Sequence, residues 1–141
     1  MIVKKPSVNA CIIDNNNTYV YGFKKLISLK DLNSQVSHFN NGSEAIIHLK
    51  DPLNINNLPD VIFLDISMPI MDGWEFINKF AEIKSQLGKK ISIYILTASV
   101  DVNDVERAKN ISEISEYIFK PMAKQRLMQI FDSLQTDIAR Q

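Results

Sequence analysis

The chain has 141 residues, 45% of them hydrophobic and 23% charged, which suits a single domain with a proper core and a solvated surface. Sixteen basic residues balance sixteen acidic ones, so the overall charge gives no case for nucleic acid as a partner. No stretch approaches the ~18 apolar residues of a membrane span, Met1 to Pro6 is too short and polar for a signal peptide, and the one cysteine, Cys11, allows no intramolecular disulfide; a cytoplasmic protein is expected.

Residues 1–7 read as a loose N-terminal extension ahead of one domain over residues 8–141. The apolar run from Asn9 to Ile13 predicts a first strand with Cys11 buried in it. It stops on Asp14-Asn15-Asn16-Asn17, residues that tolerate the backbone angles of a turn. A helix follows from about Thr18 to Lys30, with Val20, Phe23 and Ile27 on one face. Val36 to Phe39 is a weaker strand, expected at an edge. Asn40-Asn41-Gly42 turns the chain, and Ser43 is the candidate N-cap of a short helix that Asp51-Pro52 closes.

Val61-Ile62-Phe63-Leu64 is continuously apolar, the pattern of a central strand buried on both faces, although so short a run also fits a buried helical segment. It ends on a carboxylate, Asp65. Met68-Pro69 stops the strand, Asp72-Gly73 turns the chain, and a helix runs from about Trp74 to Leu87, ended by Gly88. Ile91 to Leu96 is a fourth strand ending on Thr97. A short helix spans Val102 to Lys109, with Val105 and Ala108 inward. Tyr117-Ile118-Phe119 forms a fifth strand ending on Lys120-Pro121, and a last amphipathic helix covers Lys124 to Ala139. His38 and His48 are read as structural or surface residues away from the strand ends. Trp74 is read as a packing residue with partial exposure.

Strands alternating five times with helices predict an α/β fold, a parallel sheet with helices on both faces joined by right-handed crossovers. In such a sheet the carboxyl ends of the strands form the ligand crevice. Asp14, Asp65, Thr97 and Lys120 therefore collect at one edge. A carboxylate there can attack phosphorus to form an acyl phosphate. Lys120 supplies positive charge and Thr97 a hydroxyl donor for the phosphoryl oxygens, and Mg²⁺ held by carboxylates suits the remaining charge.

Four motifs in order resemble the receiver domains of two-component response regulators: Ile12-Ile13-Asp14, Leu64-Asp65-Ile66-Ser67-Met68-Pro69-Ile70-Met71-Asp72-Gly73, Leu96-Thr97-Ala98-Ser99, and Tyr117-Ile118-Phe119-Lys120-Pro121. The resemblance covers about residues 8–140. It implies a flavodoxin-like, doubly wound five-stranded sheet of order 2-1-3-4-5. It also implies a role for each matching residue. Asp65 would be the phosphoacceptor, and Asp14, Asp65, Asn15 and the Ser67 carbonyl would hold Mg²⁺. Thr97 would be the switch hydroxyl, Tyr117 the switch aromatic, and Lys120 the phosphoryl partner, with a cis bond to Pro121. The small Ala98 leaves room for the phosphoryl group.

The implied activity is that of a self-phosphorylating, slowly self-dephosphorylating switch rather than a turnover enzyme. Its phosphodonor would be a histidine kinase or a phosphotransfer protein. Its output would be a downstream protein bound on the fourth helix, fifth strand and last helix, with no nucleic acid and no membrane involved. Only one helix follows Lys120, so a stand-alone receiver is expected.

One departure stands out. The family usually has two adjacent acids after the first strand, and this chain has Asp14-Asn15, which predicts weaker Mg²⁺ binding and motivates an alternative, a degenerate receiver acting as a phosphorylation-independent interaction module. A phosphatase of the haloacid-dehalogenase type also uses a strand-end aspartate, but it needs a second acid where this chain has Ser67.

Overall fold

The computed structural model describes residues 5–141. Of the extension expected over residues 1–7, residues 1–4 lie outside the described part. Residues 5–7 are not loose: the Asn33 and Gln135 side-chain amides donate to the carbonyls of Lys5 and Pro6 at 2.8 and 3.3 Å, and Lys5 pairs with Asp132.

Elements alternate strictly: β1 (Val8–Ile13), α1 (Asn17–Leu29), β2 (Ser34–Phe39), α2 (Gly42–Lys50), a 3₁₀ turn (Pro52–Asn54), β3 (Val61–Leu64), α3 (Gly73–Leu87), β4 (Ser92–Thr97), α4 (Val102–Lys109), β5 (Ile114–Phe119) and α5 (Lys124–Ala139). The strands form one parallel sheet of order β2-β1-β3-β4-β5, the flavodoxin-like arrangement expected. The order reverses at β1, between β2 and β3, so the strand ends there face an open crevice.

Alternation along the strands divides the core into two layers. Val61 and Phe63 of β3 join Ala10, Ile12, Leu96 and Ile118 against α1 and α5, through Phe23, Ile27, Leu127 and Phe131. Ile62 and Leu64 face the other way with Cys11, Ile13, Ile93 and Ile95, covered by Ala45 and Leu49 of α2 and by Phe76, Ile77 and Phe80 of α3. Burial on both faces explains why β3 reads as an unbroken apolar run. It also pushes the Cys11 thiol up to about 12, with a Ser37 hydrogen bond only partly opposing that rise, so it remains a neutral core group.

The helix starts depart from the sequence reading at one cap. Asn41, not Ser43, caps α2: its side chain accepts from the Glu44 N–H at 3.0 Å, and Ser43 already lies in the first turn. Asn and Ser are about equal as caps, so the backbone decides, and the extended conformation that a cap needs falls at Asn41. Asp72 and Glu75 form a reciprocal capping box at the start of α3, and Gly88 ends that helix in the left-handed conformation, φ 65°. Trp74 is 9% exposed rather than partly open, because the Arg107 guanidinium of α4 lies over its ring at 4.5 Å. The strands β2 and β5 start earlier than their apolar residues suggest, at Ser34 and Ile114. Both are edge strands, where polar side chains face water without breaking the ladder.

Candidate functional site at the carboxyl edge of the sheet

Backbone bonds between neighbouring strand ends build the site. The Asp14 N–H donates to the Phe39 carbonyl at 3.0 Å, the Asp65 N–H to Ile13 at 2.9 Å, and the Lys120 N–H to Thr97 at 2.8 Å. Asp14, Asp65 and Lys120 are thus each locked one step beyond a strand, and Thr97 at the last residue of one, and the strands cannot slide because their apolar residues are buried. Gly73 closes the approach from α3: a Cβ there would sit 2.7 Å from the Asp65 carbonyl oxygen, so only glycine lets the helix start pass this turn.

The four strand-end residues converge. Lys120 Nζ lies 2.7 Å from Asp14 Oδ2 and 3.2 Å from Asp65 Oδ2, and the Thr97 hydroxyl donates to Asp65 Oδ1 at 2.8 Å. Asp14, Asp65 and Thr97 are buried, at 1%, 7% and 1% exposure, so two carboxylates share one cation with little water around them. Burial works against the Lys120 charge, but Asp14 and Asp65 outweigh it and hold the ammonium above its ordinary value. The remaining lone pairs are partly used: the Asn16 N–H donates to Asp14 Oδ1 at 2.8 Å, and the Ser67 N–H to Asp65 Oδ1 at 3.2 Å. The bond from Lys120 to Pro121 is cis, as expected.

Asn15 is exposed beside this pair. Among the described residues, no group of three His, Cys, Asp or Glu side chains is placed to hold a metal ion. Two carboxylates nevertheless fit Mg²⁺, which typically takes one or two acids and completes its shell with waters and phosphate oxygens.

Tyr117 is half-buried, and its hydroxyl, raised in pKa mainly by burial, donates to the Ser99 carbonyl at 2.9 Å. Ser99 is a link the sequence reading left without a role. Its N–H donates to Thr97 Oγ1 at 3.3 Å and its hydroxyl to Asp104 Oδ2 on α4 at 2.7 Å. His38 is a correction: it is not remote from the strand ends, since its Nε2 lies 2.7 Å from the Asp14 carbonyl oxygen. That nitrogen must carry the proton, because a carbonyl only accepts. His48 is structural, against Phe39 and Asn54. Ile70, after the Asp65 turn, is 81% exposed with φ 67°, a left-handed conformation costly for a β-branched residue.

The sequence profile of the response regulator receiver domain matches residues 10–132. The chain belongs to that family. A two-component response regulator from Cytophaga hutchinsonii superposes with a TM-score of 0.82 at 22% identity, covering 94% of this chain and 99% of that one. The receiver domain of a signal transduction histidine kinase from Syntrophus aciditrophicus is 25% identical with a TM-score of 0.75, covering 95% and 94%. The receiver of a sensor histidine kinase from Pseudomonas aeruginosa PAO1, 18% identical with a TM-score of 0.72 and covering 93% and 99%, has a magnesium ion coordinated in its active site cleft. By sequence, the sensor histidine kinase CheAY of Helicobacter pylori is 33% identical over 99 residues, or 70% of this chain. The hybrid signal transduction histidine kinase I of Dictyostelium discoideum is 29% identical over 92 residues, or 65% of this chain. The receiver spans only 12% and 5% of the lengths of those two kinases. Among the described residues, no helix is long and apolar enough to cross a membrane.

Proposed function

We propose that this receiver domain accepts a phosphoryl group on Asp65 from a phosphohistidine of a histidine kinase or phosphotransfer protein. The observation that carries this reading is the convergence of Lys120 and Thr97 on the two oxygens of the buried Asp65 carboxylate. An Asp65 oxygen forms the new P–O bond as the P–N bond of the donor breaks. The donor imidazole keeps the electron pair and takes up a proton. Lys120 and Thr97 then hold phosphoryl oxygens, as preorganised donors do where charge develops. Asp14, Asp65, the Ser67 carbonyl and the Asn15 amide oxygen would hold Mg²⁺, which neutralises phosphoryl charge when bound. The protein is then a switch rather than a turnover enzyme, and a cytoplasmic location accords with such a partner.

The output we propose is a downstream protein bound on α4, β5 and α5. Support comes from a hydrogen-bond chain that leads there: Asp65 to Thr97, Thr97 to Ser99, and Ser99 to both Tyr117 and Asp104. A groove of about 360 Å³ between α4 and β5, lined by Val105, Ala108, Ile114 and Tyr117, lies at its end.

The test is incubation with Mg²⁺ and phosphoramidate, read by intact mass. One added phosphoryl group is expected, lost in Asp65→Asn. Failure of the wild type to gain it at saturating donor would sink the reading. A second reading, a phosphorylation-independent interaction module, draws on the exposed neutral Asn15. Mg²⁺ binding at millimolar concentration or tighter would count against it.

A further inference from the structure

We propose that Tyr19 is the positioning residue for the Lys120 ammonium, its ring face forming the third wall of the cation's site. Lys120 is the most exposed to disorder of the four strand-end groups, because its charge sits at the end of a flexible four-carbon stem. Its ammonium has three donors. Two face the carboxylates of Asp14 and Asp65, and the ring of Tyr19 lies 4.5 Å from Nζ, within the range at which an aromatic face attracts a cation.

Tyr19 can do this because its ring is fixed independently of the lysine. It stacks on Phe23 at 6.4 Å, and Phe23 packs edge-on against Phe63 of β3 at 5.0 Å. Its backbone N–H donates to the capping Asn16 side chain at 3.1 Å, and Tyr19 lines one pocket with Pro121 and Met122, the two residues beyond Lys120. The ring therefore ties the start of α1 to the loop that carries the lysine. Burial raises the hydroxyl's pKa, so the ring meets the ammonium as a neutral phenol.

A ring face is also a tolerant partner. The carboxylates hold the ammonium by directed bonds, whereas attraction to a ring face survives a small pivot. When Asp65 carries a phosphoryl group, the cation must turn toward new oxygens without being released to water. Tyr19 covers it on the α1 side through that turn.

The consequence for rate rests on the phosphoacceptor reading of Asp65; the position of Tyr19 does not. Two readouts separate them. In a ¹H–¹³C spectrum of the wild type, ring current should move the Lys120 Cε protons upfield of the other lysines. Tyr19→Phe should keep that shift and Tyr19→Leu should remove it. In phosphorylation by phosphoramidate with Mg²⁺, Tyr19→Phe should stay within about twofold of wild type and Tyr19→Leu should be slower by about five- to tenfold, the scale of one cation–ring contact between its exposed and its fully desolvated limits. In a Lys120→Met background, Tyr19→Leu should add nothing. An ordinary Lys120 resonance in the folded wild type overturns the proposal, with no variant needed. So does a Tyr19→Leu effect that persists without Lys120, or a Tyr19→Phe defect as large as that of Tyr19→Leu. If the wild type takes no phosphoryl group, the phosphoacceptor reading falls, and the Lys120 resonance still decides the role of Tyr19.

Discussion

Asn15 sits beside the buried acid Asp14 and contributes an amide where a carboxylate would bind a divalent cation more tightly. Asn15→Asp should therefore show a larger Mg²⁺-induced rise in melting temperature than wild type. Without metal it should melt lower, because a further anion joins Asp14 and Asp65. An equal metal-induced rise in both proteins would place position 15 outside the metal site. Lys120 presents the opposite case. Lys120→Met leaves two buried carboxylates without their cation, and breaking such a buried pair costs about 3 kcal/mol, readable by urea denaturation at neutral pH. The sign with pH follows from the raised folded-state pKa of Lys120. Its stabilisation is fully present below the ordinary lysine value of 10.5 and is lost as pH rises through the higher folded value, so the gap between wild type and variant should hold through neutral pH and close only in strong alkali. A gap that closes near neutrality would mean that Lys120 is not the paired cation. Asp14, Asp65, Thr97 and Lys120 were legible in the sequence because each interrupts an apolar run where the sheet ends. Tyr19, His38 and Ser99 were not, because none breaks a pattern. An aromatic near a helix start, a histidine in a weak strand and a serine in a loop are ordinary until the fold places them against Lys120, Asp14 and Tyr117.

Among the elements, α1 carries an unforced weakness. Gly22 lies in the interior of a helix running from Asn17 to Leu29, and a Cβ added there would meet nothing within 4 Å. Glycine in a helix interior costs roughly 0.5–1 kcal/mol relative to alanine, so Gly22→Ala should stabilise the fold by about that much in thermal or urea unfolding. A loss of stability would mean that α1 is packed more closely at this turn than its surroundings indicate. The helices are legible nearly to the residue because each has an apolar stripe, and α2 and α3 have a stop signal as well. Those of α3 are Ile77, Phe80 and Ile83, followed by Gly88. Edge strands were underestimated for the converse reason. Ser34 and Gln35 in β2, and Glu116 in β5, pair in the ladder through the backbone while their side chains give no apolar signal, and Ser115 is passed over where the β4–β5 register shifts.

For the molecule as a whole, the site and the proposed partner surface share one flank of the sheet, and α4 is the α-helix least committed to the core. Ala108 is its only buried residue, and two polar contacts supplement it: Ser99 to Asp104 near its start, and Arg107 over Trp74 of α3 nearer its end. The first lies on the hydrogen-bond chain from Asp65. A phosphoryl group that draws Thr97 toward new oxygens therefore acts on a helix held by few contacts, the kind of element whose equilibrium a small shift can move. Trp74 is the only tryptophan in the chain, and Arg107 lies over it, so its emission should report how α4 sits against α3. Beryllofluoride with Mg²⁺, a stand-in for the phosphoryl group, should change Trp74 fluorescence in the wild type and leave Asp65→Asn unchanged. Arg107→Ala should shift the starting emission and remove most of the response, because the stacked cation that senses the movement is gone. Constant emission in a wild-type protein whose Asp65 adduct is verified by NMR would show that α4 stays fixed on α3. The signal to the partner surface would then have to pass through Tyr117 and β5 alone.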